Sequence, residues 1–208
     1  MVRSFNKVNL MKSLASKNVD VESFGVEYID YLCNILKSIS MNQIKDFVNI
    51  LLNARENGSN IYFIGNGGSA ATASHFANDI AIGTKEFKKP FRVISLCDNN
   101  AIITAIGNDD GFEKIFSQQL EVLLQEKDVV VAISASGNSI NLLNAFDVAK
   151  RKGATTVGLS AFDGGKLKEK ADISVHVPTN KGEYGPAEDA HMVLDHMVSN
   201  YLIHFLKN

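Results

Sequence analysis

The chain carries only two cysteines, Cys33 and Cys97, which form neither a metal-type pair nor a disulfide framework and so suit a reducing compartment. No apolar run approaches the ~18 residues that a membrane helix needs. The N-terminal MVRSFNKVNL lacks the apolar core of a secretory signal. Net charge is only −2, so the molecule offers no broad field for nucleic acid or an anionic membrane. With three prolines in 208 residues, mostly short loops, and no internal repeat, low-complexity tract or linker, one domain is the simplest reading. These absences lead to the expectation of a soluble cytoplasmic protein.

What is present is periodic. Residues 1 to about 20 are polar and weakly patterned. Tyr28, Leu32, Ile35, Leu36 and Ile39 then recur at helical spacing. Ser40 and Gln43 suggest a capping box opening a second helix, whose Ile44, Phe47, Val48, Leu51 and Leu52 form an apolar stripe ending near Asn57-Gly58. Together these make an N-terminal helical segment of about residues 1–57. From about residue 58 to 208, five short β-branched runs (61–64, 92–96, 129–133, 155–159 and 173–177) alternate with longer helical patterns. Near-continuous apolar strands of this kind predict a parallel sheet covered on both faces.

Two loops carry a chemical signal. Gly65-Asn66-Gly67-Gly68-Ser69 leaves the first strand, and Ser134-Ala135-Ser136-Gly137-Asn138-Ser139 leaves the third. Glycines let backbone N–H groups approach a ligand, and Ser139 stands at the N-cap of a helix whose positive end suits a phosphate. Both loops lie at carboxyl ends of strands, where open α/β sheets bind ligands. Neither contains lysine or arginine, and there is no G-x-x-x-x-G-K-[ST], which argues against a P-loop nucleotidase; a phosphate held by hydroxyls and amides suits a sugar monophosphate. Gly65-x-Gly67-x-x-Ala70 also matches the relaxed dinucleotide fingerprint, with Asp98 as the candidate ribose acid. That acid falls further from the loop than the usual ~20 residues, and the fingerprint leaves the serine loop unexplained.

A second constellation is built for a metal. His75 and Asp79 are four apart on one helix face. In the last helical pattern, with Pro186 near its start, Glu188 and His196 are separated by about 80° around the axis and can project to one side. Two imidazoles and two carboxylates suit Zn²⁺ or a similar divalent ion. His191 is one turn from Glu188 and competes as a ligand, but its direction differs from that of His196 by about 140°. His196 is the preferred ligand. His176 and His204 carry no assigned role. Asn108 and Asp109, in a polar segment between strands two and three, are either sugar-hydroxyl contacts or ordinary turn formers.

The succession Gly65-Asn66-Gly67-Gly68-Ser69, His75-x-x-x-Asp79, Gly107-Asn108-Asp109, Ser134 to Ser139 and Glu188…His196 resembles the bacterial phosphoheptose isomerases, a branch of the sugar isomerase (SIS-domain) family. The resemblance covers roughly residues 25 to 205. It implies a single SIS domain with a flavodoxin-like three-layer α/β/α sandwich and a five-stranded parallel sheet, preceded by N-terminal helices. It implies isomerisation of sedoheptulose 7-phosphate to D-glycero-D-manno-heptose 7-phosphate, toward the heptose of lipopolysaccharide or other surface glycans. A homotetramer with active sites between subunits is also implied. It assigns substrate contacts to Asn66, Gly67, Gly68, Ser69, Asp79, Asn108, Asp109, Ser134, Ala135, Ser136, Ser139 and Glu188. The metal, one Zn²⁺ per subunit, falls to His75, Asp79, Glu188 and His196. Catalysis through an enediol falls to Asp79 as base and His196 as acid. Two positions depart from the family's pattern, which usually has Glu at 79 and Gln at 188. A base short by about 1 Å can lose about 100-fold in rate. Two rival readings remain: a sister group of the same fold that binds the bacterial replication initiator without catalysis, and an isomerase of another sugar phosphate.

Overall fold

The computed structural model describes residues 10–17 and 20–206. A short helix α1 (Leu10–Ser16) falls in the weakly patterned N-terminal stretch and is followed by α2 (Val21–Ser38) and α3 (Met41–Asn57). Helix α2 begins seven residues before its first patterned position, because the Asp20 carboxylate accepts from the backbone N–H groups of Glu22 and Ser23 at 3.0 and 2.9 Å. That is the expected work of an N-cap aspartate. Helix α3 starts where Ser40 predicts, but the capping box does not form. Ser40 makes no side-chain cap bond, and the Gln43 carbonyl oxygen instead accepts from the backbone N–H of His176 at 3.1 Å. A tertiary partner has won over the local one.

The five apolar runs are the five strands: β1 (Asn60–Gly65), β2 (Arg92–Ser95), β3 (Val129–Ser134), β4 (Thr155–Ser160) and β5 (Ile173–His176). They form one parallel sheet in the order β2-β1-β3-β4-β5, the flavodoxin-like order. The connections are α4 (Gly68–Ala81), α5 (Asn100–Asp109), a 3₁₀ turn (Phe112–Lys114), α6 (Ser117–Leu123), α7 (Ile140–Arg151) and α8 (Gly165–Lys170), and the chain closes with α9 (Tyr184–Phe205).

Side chains alternate across the sheet. Ile61 and Phe63 of β1 and Val129, Val131 and Ile133 of β3 face a core completed by Phe47, Phe76, Ile80, Leu194 and Leu202 of α3, α4 and α9. Tyr62, Ile64, Val130 and Ala132 face the opposite core, with Phe116, Leu120, Phe146 and Leu167 of the loop before α6, α6, α7 and α8. Strand periodicity of two thus builds the three layers. It also opens the site. The chain leaves β1 toward α4 on one face and leaves the adjacent β3 toward α7 on the other, so a crevice forms between the two loops.

Candidate functional site

The two loops meet in a cavity of about 170 Å³ lined by Asn66, Ser69, Ile133, Ser134, Ala135, Ser136, Ser139, Tyr184 and Glu188. This is smaller than the ~300–1,000 Å³ that encloses a whole small-molecule ligand, so it has room for one end of a molecule. Ser134 Oγ accepts from the backbone N–H of Gly137 at 3.1 Å, and Ser136 Oγ accepts from that of Asn138 at 3.3 Å. Their hydroxyl protons are left to donate. Ser139 caps α7 by position but makes no side-chain cap bond. Hydroxyl donors at a helix N-terminus match an acceptor-only group such as a phosphate. The loop is tight because Gly137 adopts φ +63° and a Cβ there would meet the Gly164 carbonyl oxygen at 1.9 Å.

The sequence did not reveal what holds the two loops in register. Asn66 and the buried Asn141 exchange a reciprocal pair of amide hydrogen bonds, at 3.0 and 2.8 Å. Asn66 therefore ties the glycine loop to α7 and has only part of its amide left for a ligand. Glu188 comes to the same end of the site. Its carboxylate lies over Gly68, where an added Cβ would meet Oε2 at 2.2 Å. Tyr184, also missed, completes the wall.

Two turns along α4 and α9 a second group forms. His75, Asp79, Asp195 and His196 each offer a ligand atom, all within 4.8 Å of one another. The ring Nε2 atoms of His75 and His196 are 3.3 Å apart, and His75 Nε2 is 3.6 Å from Asp79 Oδ2. A spacing of 3.3 Å is the edge of a tetrahedron with bonds of about 2.0–2.1 Å, the Zn–N length. The group can hold a divalent metal. Asp195 is fully buried and neither of its oxygens has a hydrogen-bond partner. Burial, and secondarily the Asp79 carboxylate, push its pKa up to about 7.

The structure does not bring Glu188 into this group. Seven residues of helix separate it from Asp195, about 10 Å of axial rise, and its carboxylate turns to the loop instead. Asn108 and Asp109 are also elsewhere. They occupy the last turn of α5, exposed, with the Asn108 amide donating to the Asp109 carboxylate at 2.8 Å, and they do not line the cavity. His191 is fully buried, away from the metal group, and burial lowers its pKa to about 4. Asp98 receives a hydrogen bond from Ser74 on α4.

Asp195 was legible only in hindsight. It stands among Ala187, Ala190, Leu194, Val198 and Leu202, all buried. An acid inside an apolar helical stripe is the signal, because a charged side chain is rarely buried without a partner.

The SIS-domain family model matches residues 27–161. The chain is 40% identical over 156 residues to the phosphoheptose isomerase of Geobacter metallireducens, covering 75% of this chain and 82% of the relative. It is 36% identical over 174 residues to that of Helicobacter pylori, covering 83% and 90%. The chain belongs to the phosphoheptose isomerase family. The fold agrees: the solved phosphoheptose isomerase of Neisseria gonorrhoeae superposes with a TM-score of 0.77 at 29% identity, over 88% of this chain and 96% of that one.

Proposed function

We propose that this chain, acting as a single SIS domain, is a sugar-phosphate isomerase that interconverts sedoheptulose 7-phosphate and D-glycero-D-manno-heptose 7-phosphate. The observation that carries the reading is the spacing of the two groups. The hydroxyl-lined cavity lies at the N-terminal ends of the neighbouring helices α4 and α9, and the His/Asp group lies two turns along both. Two turns amount to about 10 Å, the order of length of an extended seven-carbon chain from phosphate to carbonyl.

Aldose–ketose isomerisation moves a proton between C1 and C2 through an enediol, and needs a base, an acid and stabilisation of the developing oxyanion. The serine loop anchors the phosphate by hydroxyl and backbone donors. Asp79, half-buried and beside His75, takes the proton from carbon. His196 passes a proton to or from the substrate oxygens, a role open to its Nδ1 when Nε2, which faces His75, is given to a metal. Glu188, at the glycine loop, faces the sugar. A divalent metal held by the His/Asp group, Zn²⁺ by its donor set, would polarise the C1 and C2 oxygens. The fully buried, partnerless oxygens of Asp195 favour such an ion.

A homotetramer fits the exposed apolar surface. Val21, Val26 and Ile29 of α2 are 83, 62 and 61% exposed, and an apolar groove between α3 and α9 is lined by Met41, Ile44, Val48, Met197, Val198 and Tyr201. The described residues include no helix long and apolar enough to cross a membrane. A cytoplasmic enzyme supplying heptose for lipopolysaccharide or capsule is the reading these features favour.

The test is NMR of sedoheptulose 7-phosphate incubated with metal-loaded protein in D₂O. The expected result is the aldose heptose 7-phosphate with deuterium at C2. No product and no deuterium uptake would overturn the isomerase reading.

A further inference from the structure

The family's expected ligand set asks Asp79 to be both metal ligand and base. A carboxylate tightly held by a cation is a poor base, because the lone pair that would take the proton is committed to the ion. The environments of the three nearby carboxylates differ in a way that resolves this. Asp79 is half-buried, its Oδ1 already accepts from the Asn78 amide at 3.1 Å, and its Oδ2 lies 3.6 Å from His75 Nε2. Glu188 lies over the glycine loop at the far end of the cavity. Asp195 is fully buried, neither oxygen has a partner, and it offers a ligand atom to the His75–His196 pair.

A buried carboxylate without donors is costly, and fold stability gives no reason to keep one. A cation at the two imidazoles is the partner that offsets that cost. The buried oxygens are held by the surrounding helix packing and are therefore pre-positioned. Three protein ligands with one position open is also the usual arrangement of a catalytic zinc, whereas four protein ligands close the site to substrate.

We propose that Asp195 is the anionic ligand of the metal, completing a His75–His196–Asp195 set with an open fourth position, and that this spares Asp79 for proton transfer. The inference rests on the metal assignment in the proposed function. It assigns a ligand that neither spacing nor family resemblance supplies.

The experiment is competitive Zn²⁺ titration of the metal-stripped full-length protein against a chromogenic chelator. It compares wild type, Asp195→Asn, Asp79→Asn and Glu188→Gln, with the thermal midpoint of each recorded with and without Zn²⁺. Changes to groups that merely orient a ligand cost about 10–100-fold in metal affinity, so loss of the ligand itself should cost at least about 100-fold in Asp195→Asn. Asp79→Asn and Glu188→Gln should stay within severalfold of wild type. The metal-free Asp195→Asn protein should melt no lower than metal-free wild type, because an uncompensated charge has left the interior, and Zn²⁺ should no longer raise its midpoint. Asp195→Leu, which fills the site with an apolar group, guards against a folding defect and should behave the same way. Wild-type affinity in both Asp195 variants, or an equal loss in Asp79→Asn or Glu188→Gln, overturns the proposal. If wild type itself binds no Zn²⁺, the metal assignment falls with it. The isomerase reading is decided separately, by the deuterium experiment.

Discussion

The two ends of the candidate site are made of different material. The serine-loop end is built mainly from backbone and hydroxyls, in two short contiguous loops at the ends of neighbouring strands. The far end is built from charged side chains on α4 and α9, which are more than a hundred residues apart in the chain. The first holds one carboxylate, Glu188, and is otherwise neutral and pre-satisfied: the serine oxygens already accept backbone N–H groups, and only their protons remain on offer. The second is unsatisfied, with an orphaned buried carboxylate and two ring nitrogens in contact. The difference teaches where specificity and chemistry reside. A cradle of hydroxyl and backbone donors suits binding without reaction, while a cluster of closely spaced ionisable groups suits the tuning of proton transfer.

Mutations separate the two ends. The largest effect is expected at the charged end. Asp79→Asn keeps shape and removes the proposed base, and should lower kcat by about 10²–10⁴-fold while the melting temperature holds. Near-normal turnover would remove Asp79 from the chemistry. At the serine-loop end, Ser139→Ala should raise KM for the sugar phosphate about tenfold with kcat little changed, one hydrogen bond to a charged group being worth about 1.5–3 kcal/mol. Its stability should stay at the wild-type value, unlike the loss of about 1 kcal/mol usual for an N-cap serine, because Ser139 makes no cap bond. A drop in stability with unchanged KM would return this serine to a capping role.

The link between the two loops of the first end comes next. Asn141→Ala leaves the Asn66 amide without its buried partner and should cost about 1–3 kcal/mol in denaturant unfolding. It should also raise KM, since the glycine loop loses its tie to α7. Unchanged KM alongside lost stability would show that the loops hold their register independently.

The smallest effect at neutral pH concerns His191. Its imidazole protonates near its ordinary 6.5 in the unfolded chain but resists protonation down to about 4 in the fold. The unfolded state therefore takes up the proton first, and this residue's contribution to stability is lost as pH falls from about 6.5 toward 4. His191→Leu should be close to wild type at pH 7 and become progressively more stable than wild type through that window, read by unfolding at stepped pH. Parallel pH curves for the two proteins would show that His191 does not titrate in that range.

Much of the fold was legible because strand and helix periods are local. Phe63 and Tyr62 fall on opposite faces because successive strand residues do, and Phe47, Val48 and Leu51 share a face because helix residues three and four apart do. The Ser40–Gln43 box failed for the complementary reason: Gln43 found a strand N–H that no neighbouring residue could announce. The serine loop was legible as a contiguous set of donors suited to a phosphate. Asn141 and Tyr184 were not, because each joins the site only through packing.

The sequence by itself determined the five strands, the two loops at their carboxyl ends, the chemistry suited to a phosphate and the presence of His75, Asp79 and His196 on helices. These follow from interactions among residues near in the chain. Only the tertiary structure decided which carboxylate of α9 joins them. Helical periodicity places Glu188 and Asp195 within about 20° of one another around the axis, so angle alone cannot separate them. They differ in depth along the helix. That depth acquires meaning only when α4 is laid beside α9, with Gly68 beneath Glu188 and His75 beside Asp195.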